Sequence, residues 1–324
     1  MRVRVLGAGV AGLAVTTELV ARGVAVELVD PAGGPGEASC SWWAGGMLAP
    51  FCEFENAEEQ VLRLGSQAKP WWQQHTAVTE AGTLVVAHRR DAADLRRFAR
   101  RTEGFQPVDA AQTRELEPDL PGFDQGLFFA SEAHLSPRQA LLDLAAALEA
   151  QNVTIQRESS DNPVATTVDC RGFAARDALV DLRGVKGEML VIRAPDVALT
   201  RPVRLLHPRI PVYIVPRGDG IYMLGATMIE TADRGRITAR SMLELLSAAY
   251  ALNPAFGEAE VLEIGVDVRP AFPDNLPRVR RIGSTVYANG LYRHGFLLAP
   301  AIAKAVAELV VDNRITELVD AHYA

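Results

Sequence analysis

The first 30 residues contain the feature that most limits what this chain can fold into. The segment VLGAGVAG lies between an apolar run, residues 3–6, and a run with helical character, residues 10–22. A second apolar run follows at residues 24–29. Strand, glycine-rich turn, helix and strand together predict a βαβ unit at the N-terminus.

The glycines of this turn have the spacing of a dinucleotide-binding site. Gly7 permits a tight turn, Gly9 lets the backbone approach a pyrophosphate, and Gly12 lets the helix pack closely on the strand. Asp30 ends the second run 18 residues beyond Gly12, near the ~20 expected for an acid that accepts hydrogen bonds from ribose hydroxyls. The pattern serves both NAD and FAD, and its place at the extreme N-terminus favours FAD.

Composition limits the class of partner. The formal net charge is −7, which argues against nucleic acid or an anionic membrane as the main partner and favours a small molecule. No run reaches the ~18–20 apolar residues of a membrane span. The start of the chain also has the arginines and apolar run of a secretory signal, but strand, turn and helix account for more of its residues.

Cysteine usage indicates a reducing compartment. Cys40, Cys52 and Cys170 have neither zinc nor redox spacing, and they are too few for a disulfide-rich secreted domain. We therefore predict a soluble protein of the cytoplasm. The six histidines have no metal-ligand spacing, so no metal site is predicted.

Later segments continue the α/β pattern. Ser136 and Pro137 mark a helix start in SPRQALLDLAAALEAQNVTI, and a strand is predicted at residues 153–155. Another short strand is predicted at residues 285–288, and residues 301–311 have the pattern of a closing helix. These elements are assigned to the same sheet as the N-terminal unit.

The middle of the chain has a different pattern. Residues 84–86 predict a strand, and the basic run at residues 88–101 predicts a helix with Leu95 and Phe98 facing inward. We interpret its arginines as a solvated face rather than an anion site, because charged helix faces are usually only exposed. Residues 189–265 contain short β runs separated by Gly and Pro, which predicts an antiparallel sheet.

The stretch SWWAGGMLAP, residues 41–50, has no ionisable side chain. Along a flavin ring its glycines would admit backbone N–H groups to the N5 and O4 edge, while Met47 and Leu48 would supply apolar contact. The alternative is a buried glycine-rich turn packed by Trp42 and Trp43.

The segment NGLYRHGFLLAP lies near the C-terminus. It places Gly290 and Gly295 around Arg293, and a helix is predicted to begin at about Pro300. The N-terminus of that helix would face the O2 and N1 edge of a flavin, where negative charge appears on reduction. The alternative is a helix that only packs on the sheet.

The predicted fold is α/β, and α+β overall. A Rossmann-like FAD-binding domain is interleaved with a mainly antiparallel β substrate domain. We place the FAD-binding domain at residues 1–79, 134–186 and 266–324. The substrate-binding domain takes residues 80–133 and 187–265.

Seven segments occur in the order of one enzyme family: GAGVAGLA, SCSWWAGGMLAP, ELEPDL, GVKGEML, YIVPRGDGIYMLGATM, VRPAFPDNLP and YRHGFLLAP. With them the sequence resembles the D-amino acid oxidase family of FAD enzymes, most closely its glycine oxidase branch of thiamine biosynthesis. The resemblance covers nearly the whole chain. It implies bound FAD and a small amino acid as the substrate.

The resemblance also implies the site residues. Arg269 would bind the substrate carboxylate, Tyr213 and Arg293 would assist, and Met228 would line the pocket. Together with the turn glycines, the predicted cofactor contacts are Gly7, Gly9, Val10, Ala11, Gly12, Asp30, Pro31, Cys40, Ser41, Gly45, Gly46, Met47, Gly290, Leu291, Tyr292, Arg293, His294, Gly295, Phe296 and Leu297.

Parts of the chain depart from the family. VDCRGFAAR stands where relatives have a run of small residues, and residues 158–163 join two strands very briefly. The contacts on the adenosine side are therefore left open. The residues before YIVPR vary in the family, so we predict a capping or surface role for His207.

The expected reaction needs orientation of the substrate more than it needs an acid or a base. A hydride passes from the α-carbon to flavin N5, and the carboxylate orients the substrate. Arg269 precedes Pro270 at the end of a strand-like run, so it can offer a rigid bidentate fork. A surface arginine is the alternative. Arg293 would pair with a carbonyl or with the substrate.

Several readings compete with a glycine oxidase. One is a related sarcosine or D-amino acid oxidase or dehydrogenase. Another is a tRNA-modifying flavoprotein, supported only by the basic run at residues 88–101. A third is a nucleotide-binding scaffold without turnover.

The cysteines also bear on how the FAD is attached. Covalent flavin in sarcosine oxidases uses a cysteine late in the chain, whereas the last cysteine here is Cys170, so noncovalent FAD is expected. Oxygen is the expected electron acceptor, and a homo-oligomer is compatible with the sequence.

Overall fold

A computed structural model gives the fold for residues 1–56, 58–207 and 211–320. Two large sheets dominate it, one of six strands and one of eight, and a third sheet has three short strands. This combination of a largely parallel and a largely antiparallel sheet confirms the predicted fold class.

The six-stranded sheet contains the predicted N-terminal βαβ unit. Its strands are β1 (Arg2–Leu6), β2 (Ala25–Val29), β9 (Ile155–Gln156), β10 (Thr166–Asp169), β16 (Arg278–Ile282) and β17 (Thr285–Asn289). They are ordered β16-β17-β10-β1-β2-β9; the β16–β17 pair is antiparallel and the other described pairs are parallel. The carboxyl ends of β1, β2, β10 and β17 therefore lie at one edge, where ligands of such sheets bind.

The eight-stranded sheet is mainly antiparallel. Its strands are β5 (Thr83–Ala87), β6 (Gln106–Asp109), β7 (Gln125–Phe129), β11 (Arg183–Arg193), β12 (Val203–Leu206), β13 (Val212–Pro216), β14 (Ile221–Gly225) and β15 (Glu260–Ala271). They are ordered β15-β11-β14-β13-β12-β5-β7-β6, with a parallel β5–β12 pair. Both β11 and β15 cross the domain boundaries predicted at residues 186 and 265, so that division stays a prediction.

The remaining strands form the small sheet. They are β3 (Met47–Leu48), β4 (Val78–Thr79) and β8 (Ala133–Leu135), in the order β3-β8-β4. The α-helices are α1 (Val10–Ala21), α2 (Pro50–Glu53), α3 (Glu59–Gly65), α4 (Ala68–Trp72), α5 (Ala92–Arg101), α6 (Ala110–Leu116), α7 (Pro137–Glu149), α8 (Ala239–Leu252) and α9 (Gly295–Val311).

Apolar side chains of α1, α7 and α9 build the core beside the six-stranded sheet. Val5 of β1, Leu13 of α1, Leu144 of α7 and Val306 of α9 are all fully buried in one cluster. A second core lies under α8, where Leu245 and its neighbours pack on the antiparallel strands. The two cores hold the two large sheets in place, and burial of apolar surface is the main stabilising term in each.

The C-terminal helix is longer than the sequence predicts. It begins at Gly295, five residues before the expected start, and Pro300 lies inside it. Proline lacks an N–H group, so the carbonyl of Phe296 loses its helical partner. The indole Nε1 of Trp72 donates to that carbonyl at 2.7 Å. Because the carbonyl is satisfied in this way, the helix continues through Pro300, the residue at which the sequence pattern predicts that it begins.

Other differences are small. The strand predicted at residues 153–155 is displaced to Ile155–Gln156. The predicted inward side chains of α5, Leu95 and Phe98, are buried. Among the described residues, no helix combines the length and apolar character needed to cross a membrane.

Candidate active site

A cavity of about 640 Å³ opens where the carboxyl edge of the six-stranded sheet meets the eight-stranded sheet. It is lined by almost all of the residues predicted for the site. These are Gly7, Gly9, Val10, Ala11, Asp30, Pro31, Cys40, Ser41, Gly45, Gly46, Met47, Tyr213, Met228, Arg269, Leu291, Tyr292, Arg293, His294, Gly295, Phe296 and Leu297. The fold thus brings together segments that are far apart in the sequence.

Two predicted glycines, Gly12 and Gly290, lie outside the cavity lining. A Cβ atom on Gly12 would stand 1.8 Å from the carbonyl oxygen of Gly7. Gly290 has a φ of +81°, and a Cβ there would stand 2.3 Å from the ring of Phe272. Both glycines permit close packing, and the structure gives them no direct place at a ligand.

The turn after β1 is held by an acid. Gly7 has a φ of +96°, and a Cβ there would lie 2.7 Å from the carbonyl oxygen of Cys170. The N–H of Ala8 donates to Asp30 Oδ2 at 2.7 Å. Asp30 therefore fixes the turn as well as lining the cavity, and sequence reasoning assigned it only the second of these tasks.

The N-terminus of α1 faces the cavity through Val10 and Ala11. The N–H of Val10 donates to the hydroxyl Oγ of Ser41 at 3.1 Å. A Cβ on Gly9 would lie 3.1 Å from the Ser39 hydroxyl and 3.3 Å from the Ser41 hydroxyl. A helix N-terminus that lines a cavity, with hydroxyls beside it, suits a diphosphate.

The glycines of the apolar stretch 41–50 are required by close contacts. A Cβ on Gly45 would lie 2.8 Å from the Tyr213 ring. Gly46 has a φ of +71°, and a Cβ there would lie 2.3 Å from the carbonyl oxygen of Leu135. The stretch therefore packs on both sides, against the antiparallel sheet and against β8, while Gly45, Gly46 and Met47 line the cavity.

Arg217 fixes the same stretch and was missed in the sequence. Its Nη2 donates to the carbonyl of Gly45 at 2.6 Å, and its Nη1 donates to the carbonyl of Leu135 at 3.2 Å. Burial lowers the pKa of Arg217 to about 10, so the side chain keeps its charge at neutral pH. Its position within the family motif YIVPRGDG, residues 213–220, could have identified it as a site residue.

Arg269 lies on β15 and lines the cavity. Its Nη1 donates to the carbonyl of Thr227 at 3.0 Å. Among the described residues it forms no ion pair; the nearby carboxylate of Asp267 is paired with Arg234 at 3.1 Å, and the charges of Arg234 and Arg269 oppose the rise that burial causes in the pKa of Asp267. The guanidinium packs on Gly187, where a Cβ would lie 2.4 Å from Arg269 Cζ.

Tyr213 and Met228 lie near Arg269 in the cavity lining. Burial raises the pKa of Tyr213, so its phenol is protonated at neutral pH and can donate a hydrogen bond. The sulfur of Met228 lies 3.7 Å from the Tyr292 hydroxyl and 3.7 Å from Arg293 Nη1. Met228, Tyr292 and Arg293 therefore form one wall of the cavity.

Arg293 is paired with an acid that sequence reasoning did not identify. Its Nη2 lies 2.8 Å from Glu53 Oε2, and Arg204 Nη1 lies 3.5 Å from Glu53 Oε1. Burial raises the pKa of Glu53, but Arg293 and Arg204 outweigh burial and bring it to about 2. Glu53 is therefore ionised at neutral pH and compensates the charge of Arg293.

Two histidines line the cavity. Burial lowers the pKa of His294 to about 4, despite Glu53 Oε2 at 3.5 Å from its Nδ1, so the imidazole is neutral at neutral pH. His207 is half-buried and also lines the cavity. The capping or surface role predicted for His207 stays a prediction.

The segment VDCRGFAAR is held by charge pairs. Arg171 Nε donates to Asp169 Oδ2 at 2.8 Å, and its guanidinium also binds the carboxylate of Asp177. Arg171, Gly172 and Phe173 line the cavity. The segment that departs from the family therefore lies at the cavity.

The residues present fit an FAD molecule. A glycine turn without room for Cβ atoms, a helix N-terminus with two serine hydroxyls and an acid at the end of β2 match a dinucleotide. The N-terminus of α9, at Gly295 rather than Pro300, also lines the cavity, and its positive end would favour the negative charge of a reduced flavin. Among the described residues, no group of three or more His, Cys, Asp or Glu is arranged to hold a metal ion.

A βαβ dinucleotide cradle that opens into a cavity walled by an antiparallel sheet is the arrangement expected of a flavin-dependent oxidoreductase. The model of the DAO family of FAD-dependent oxidoreductases matches residues 2–309. The chain belongs to this family. The cofactor and the class predicted from the sequence, an FAD-dependent oxidoreductase of the amino acid oxidase type, are confirmed.

Individual relatives agree with this assignment. The chain is 55% identical over 320 residues to a putative thiamine biosynthesis oxidoreductase, ThiO, of Rhizobium etli, covering 97% of this chain and 98% of that protein. Its fold is similar to the crystal structure of glycine oxidase from Geobacillus kaustophilus, with a TM-score of 0.82 and 23% identity, covering 100% of this chain and 98% of that one. It is also similar to iminodiacetate oxidase from Chelativorans sp., with a TM-score of 0.83, 20% identity, and the same two coverages.

Proposed function

We propose that the protein oxidises glycine and other small amino acids. The α-carbon gives up a hydride, the amino group gives up a proton, and an imine is formed; oxygen then takes the two electrons and becomes hydrogen peroxide. The chemistry that FAD supplies is acceptance of the hydride at N5. We place the reaction in the biosynthesis of the thiamine thiazole, because the Rhizobium etli relative is 55% identical and carries a thiamine-related name.

The single observation that carries this proposal is the guanidinium of Arg269. It lines the cavity with one hydrogen bond, to the carbonyl of Thr227, and it forms no ion pair among the described residues. A carboxylate that enters this cavity loses water and requires compensation there. The N–H groups of Arg269 that Thr227 leaves free offer it, and they fix the α-carbon in one orientation.

Two other cations near the cavity are less suited to this task. Arg293 is compensated by Glu53 at 2.8 Å, and Arg217 is bound to two backbone carbonyls. Arg293 assists by holding the wall that contains Met228. Tyr213, as a protonated phenol, donates a hydrogen bond to the substrate rather than acting as a base.

The wall also favours a small substrate. Tyr213 packs on Gly45 with no room for a Cβ atom between them, and Met228 touches both Tyr292 and Arg293. A bulky side chain on the α-carbon would have to displace one of these groups. Glycine, sarcosine and D-alanine should therefore be oxidised faster than large D-amino acids.

The partners and the cellular compartment are inferred from the net charge and from the state of the cysteines. The net charge of −7 disfavours nucleic acid as a partner. The three cysteines are free thiols, which fits the reducing cytoplasm. Association into a homo-oligomer is left as an expectation from the sequence.

The proposal is tested by mixing the holoenzyme anaerobically with glycine, sarcosine, D-alanine, D-proline or D-phenylalanine and following the loss of flavin absorbance. Air is then admitted and peroxide is measured. We expect the three smallest substrates to reduce the flavin fastest and peroxide to equal the substrate consumed. Efficient reduction by D-phenylalanine with none by glycine would refute the substrate class, and reoxidation without peroxide would refute oxygen as the acceptor.

A further inference from the structure

A short segment after β14, residues 226–229, is hydrogen-bonded to the first half of β11; we call it the strap. The N–H of Lys186 donates to the carbonyl of Ile229 at 2.9 Å, and the N–H of Ile229 returns a bond to the carbonyl of Lys186 at 3.0 Å. The N–H of Thr227 donates to the carbonyl of Glu188 at 3.1 Å. The strap therefore follows β11 residue by residue, in a fixed register.

The strap reaches two parts of the cavity wall. The carbonyl of Thr227 accepts the hydrogen bond from Arg269 Nη1 at 3.0 Å. The next residue, Met228, places its sulfur 3.7 Å from Arg293 Nη1. A shift of the strap would therefore move the partner of Arg269 and the Met228 wall together.

A buried carboxylate holds the strap at Thr227. The Thr227 hydroxyl donates to Glu188 Oε2 at 3.0 Å and accepts from the N–H of Glu188 at 2.9 Å. Glu188 is 0% exposed. Both hydrogen-bonding directions of the hydroxyl are used, so its orientation and that of the carboxylate are determined.

The negative charge of Glu188 is compensated by a buried lysine. The ammonium of Lys186, itself 3% exposed, lies 3.6 Å from Glu188 Oε1 and 3.1 Å from Asp233 Oδ2. Burying a charged pair costs free energy that the attraction between the charges often fails to recover, so such pairs are weak devices for stability alone. A pair that also fixes a segment of the active site has a positional role.

We infer that Glu188 and Thr227 are positioning residues for Arg269, with Lys186 as their compensating charge. They act through the Thr227 carbonyl and set the direction in which the guanidinium offers its free N–H groups to a carboxylate. This inference rests on the proposed function, because it takes Arg269 as the carboxylate anchor.

The test uses Thr227→Val, which keeps the shape and the backbone carbonyl but removes the hydroxyl, and Thr227→Ser, which keeps the hydroxyl. Binding of glycolate, a small carboxylate without an amine, is measured from the change it causes in the flavin absorbance of the holoenzyme. We expect Thr227→Val to raise the glycolate Kd and the glycine KM roughly tenfold with kcat nearly unchanged, the size expected for one hydrogen bond to a charged group. Thr227→Ser should stay within about twofold of the parent.

A matched control lies outside the cavity lining, just before β12. Thr200 donates to Glu117 at 2.8 Å, Glu117 is fully buried, and Arg201 compensates its charge at 2.8 Å, yet none of these residues lines the cavity. Thr200→Val should lower stability as Thr227→Val does and leave the glycolate Kd unchanged. Glu188→Gln, which keeps an acceptor but removes the charge, replaces Thr227→Val if that variant does not fold, and it should also weaken glycolate binding.

Arg269→Ala separates this inference from the proposed function. If Arg269→Ala weakens glycolate binding strongly and Thr227→Val and Glu188→Gln leave it within twofold of the parent, the positioning role is overturned and the anchor stands. If Arg269→Ala itself leaves binding unchanged, both are overturned. In the double variant Thr227→Val with Arg269→Ala, we expect no further loss beyond Arg269→Ala, because the threonine acts through the arginine.

Discussion

The guanidinium of Arg269 packs directly on the backbone of Gly187: a Cβ atom there would lie 2.4 Å from Arg269 Cζ and 2.4 Å from its Nη2. The pairing of β11 with β15 sets this contact, since Val185 is opposite Arg269 and Gly187 is opposite Asp267. The absence of a side chain at position 187 thus determines where the proposed anchor lies.

Gly187→Ala tests this contact. The new methyl group would displace the guanidinium, and a misplacement of about 1 Å can cost up to roughly 100-fold in rate, so we expect a 10- to 100-fold fall in kcat/KM for glycine. FAD affinity, measured by fluorescence titration of the apoprotein, should change little, because Gly187 belongs to the eight-stranded sheet, whereas the glycine turn follows β1 of the six-stranded sheet. Parent-like kinetics in Gly187→Ala would show that the position of Arg269 is not critical.

Arg269→Ala should keep its FAD and lose its hold on the substrate. Removing one partner of a buried, hydrogen-bonded charge pair costs about 2–5 kcal/mol, or roughly 30-fold to several-thousand-fold in apparent affinity. The glycine KM should rise accordingly. Arg269→Lys should recover only part of the loss, because a point charge cannot reproduce two parallel hydrogen bonds.

Amines without a carboxylate provide the control for Arg269. Their slow oxidation should be nearly the same in the parent and in Arg269→Ala, which separates lost binding from damage to the fold. A glycine KM within a few-fold of the parent would exclude Arg269 as the anchor and would make Arg293 the next residue to test, in spite of its pairing with Glu53.

The N-terminal βαβ unit was predictable because its signals are local. The apolar runs and the glycines of VLGAGVAG lie within 30 residues, and steric rules for glycine turns need no tertiary information. The start of α9 was not predictable in the same way. Its passage through Pro300 depends on the indole of Trp72 bonding the carbonyl of Phe296, a contact between residues more than 200 positions apart.

The site residues also divide into those with a local sequence signal and those that depend on tertiary contacts. Arg269 and Tyr213 were identified because they lie in motifs of a recognisable family. The pairing of Glu53 with Arg293 and of Glu188 with Thr227 depends on strand order and burial, which the sequence does not display. Charged residues in a strand are usually read as exposed, so the burial of Glu188 had no signal of its own.

FAD should be released when the protein is denatured. Burial raises the pKa of Cys40 to about 12 and raises that of Cys170 still further. Both line the cavity, but protonated thiols are poor nucleophiles. Acid precipitation should therefore leave the flavin in the supernatant; yellow colour that stays with the pellet after washing in denaturant would indicate a covalent bond.

The Trp72 indole should stabilise α9 through its hydrogen bond. Trp72→Phe leaves the buried carbonyl of Phe296 without a donor, and we expect it to cost about 1–3 kcal/mol in unfolding free energy in addition to the lost packing. Pro300→Ala supplies a backbone N–H at the position from which that carbonyl is normally bonded. The double variant should therefore be more stable in urea than Trp72→Phe alone; equal stability of the two would contradict this account.

Glu132 should make the protein less stable as the pH rises. The side chain is 1% exposed, its Oε1 accepts the N–H of Cys52 at 2.8 Å, and burial raises its pKa from the ordinary 4.5 to about 7. Below pH 4.5 the carboxyl is protonated in both the folded and the unfolded chain. Between pH 4.5 and 7 the unfolded chain releases the proton while the folded chain retains it, so unfolding becomes easier, and above pH 7 the penalty is constant at roughly 3 kcal/mol.

Glu132→Gln removes this titration and keeps an oxygen acceptor for Cys52. Urea unfolding of the parent and of Glu132→Gln, both saturated with FAD, should be compared between pH 4 and 8. Because the other groups titrate alike in the two proteins, the difference in unfolding free energy isolates Glu132. It should change in favour of the variant by roughly 3 kcal/mol from pH 4.5 to 7 and then level off. A difference that does not depend on pH would mean that Glu132 is already ionised in the folded protein, and that its buried charge is compensated by the N–H of Cys52 and its neighbours.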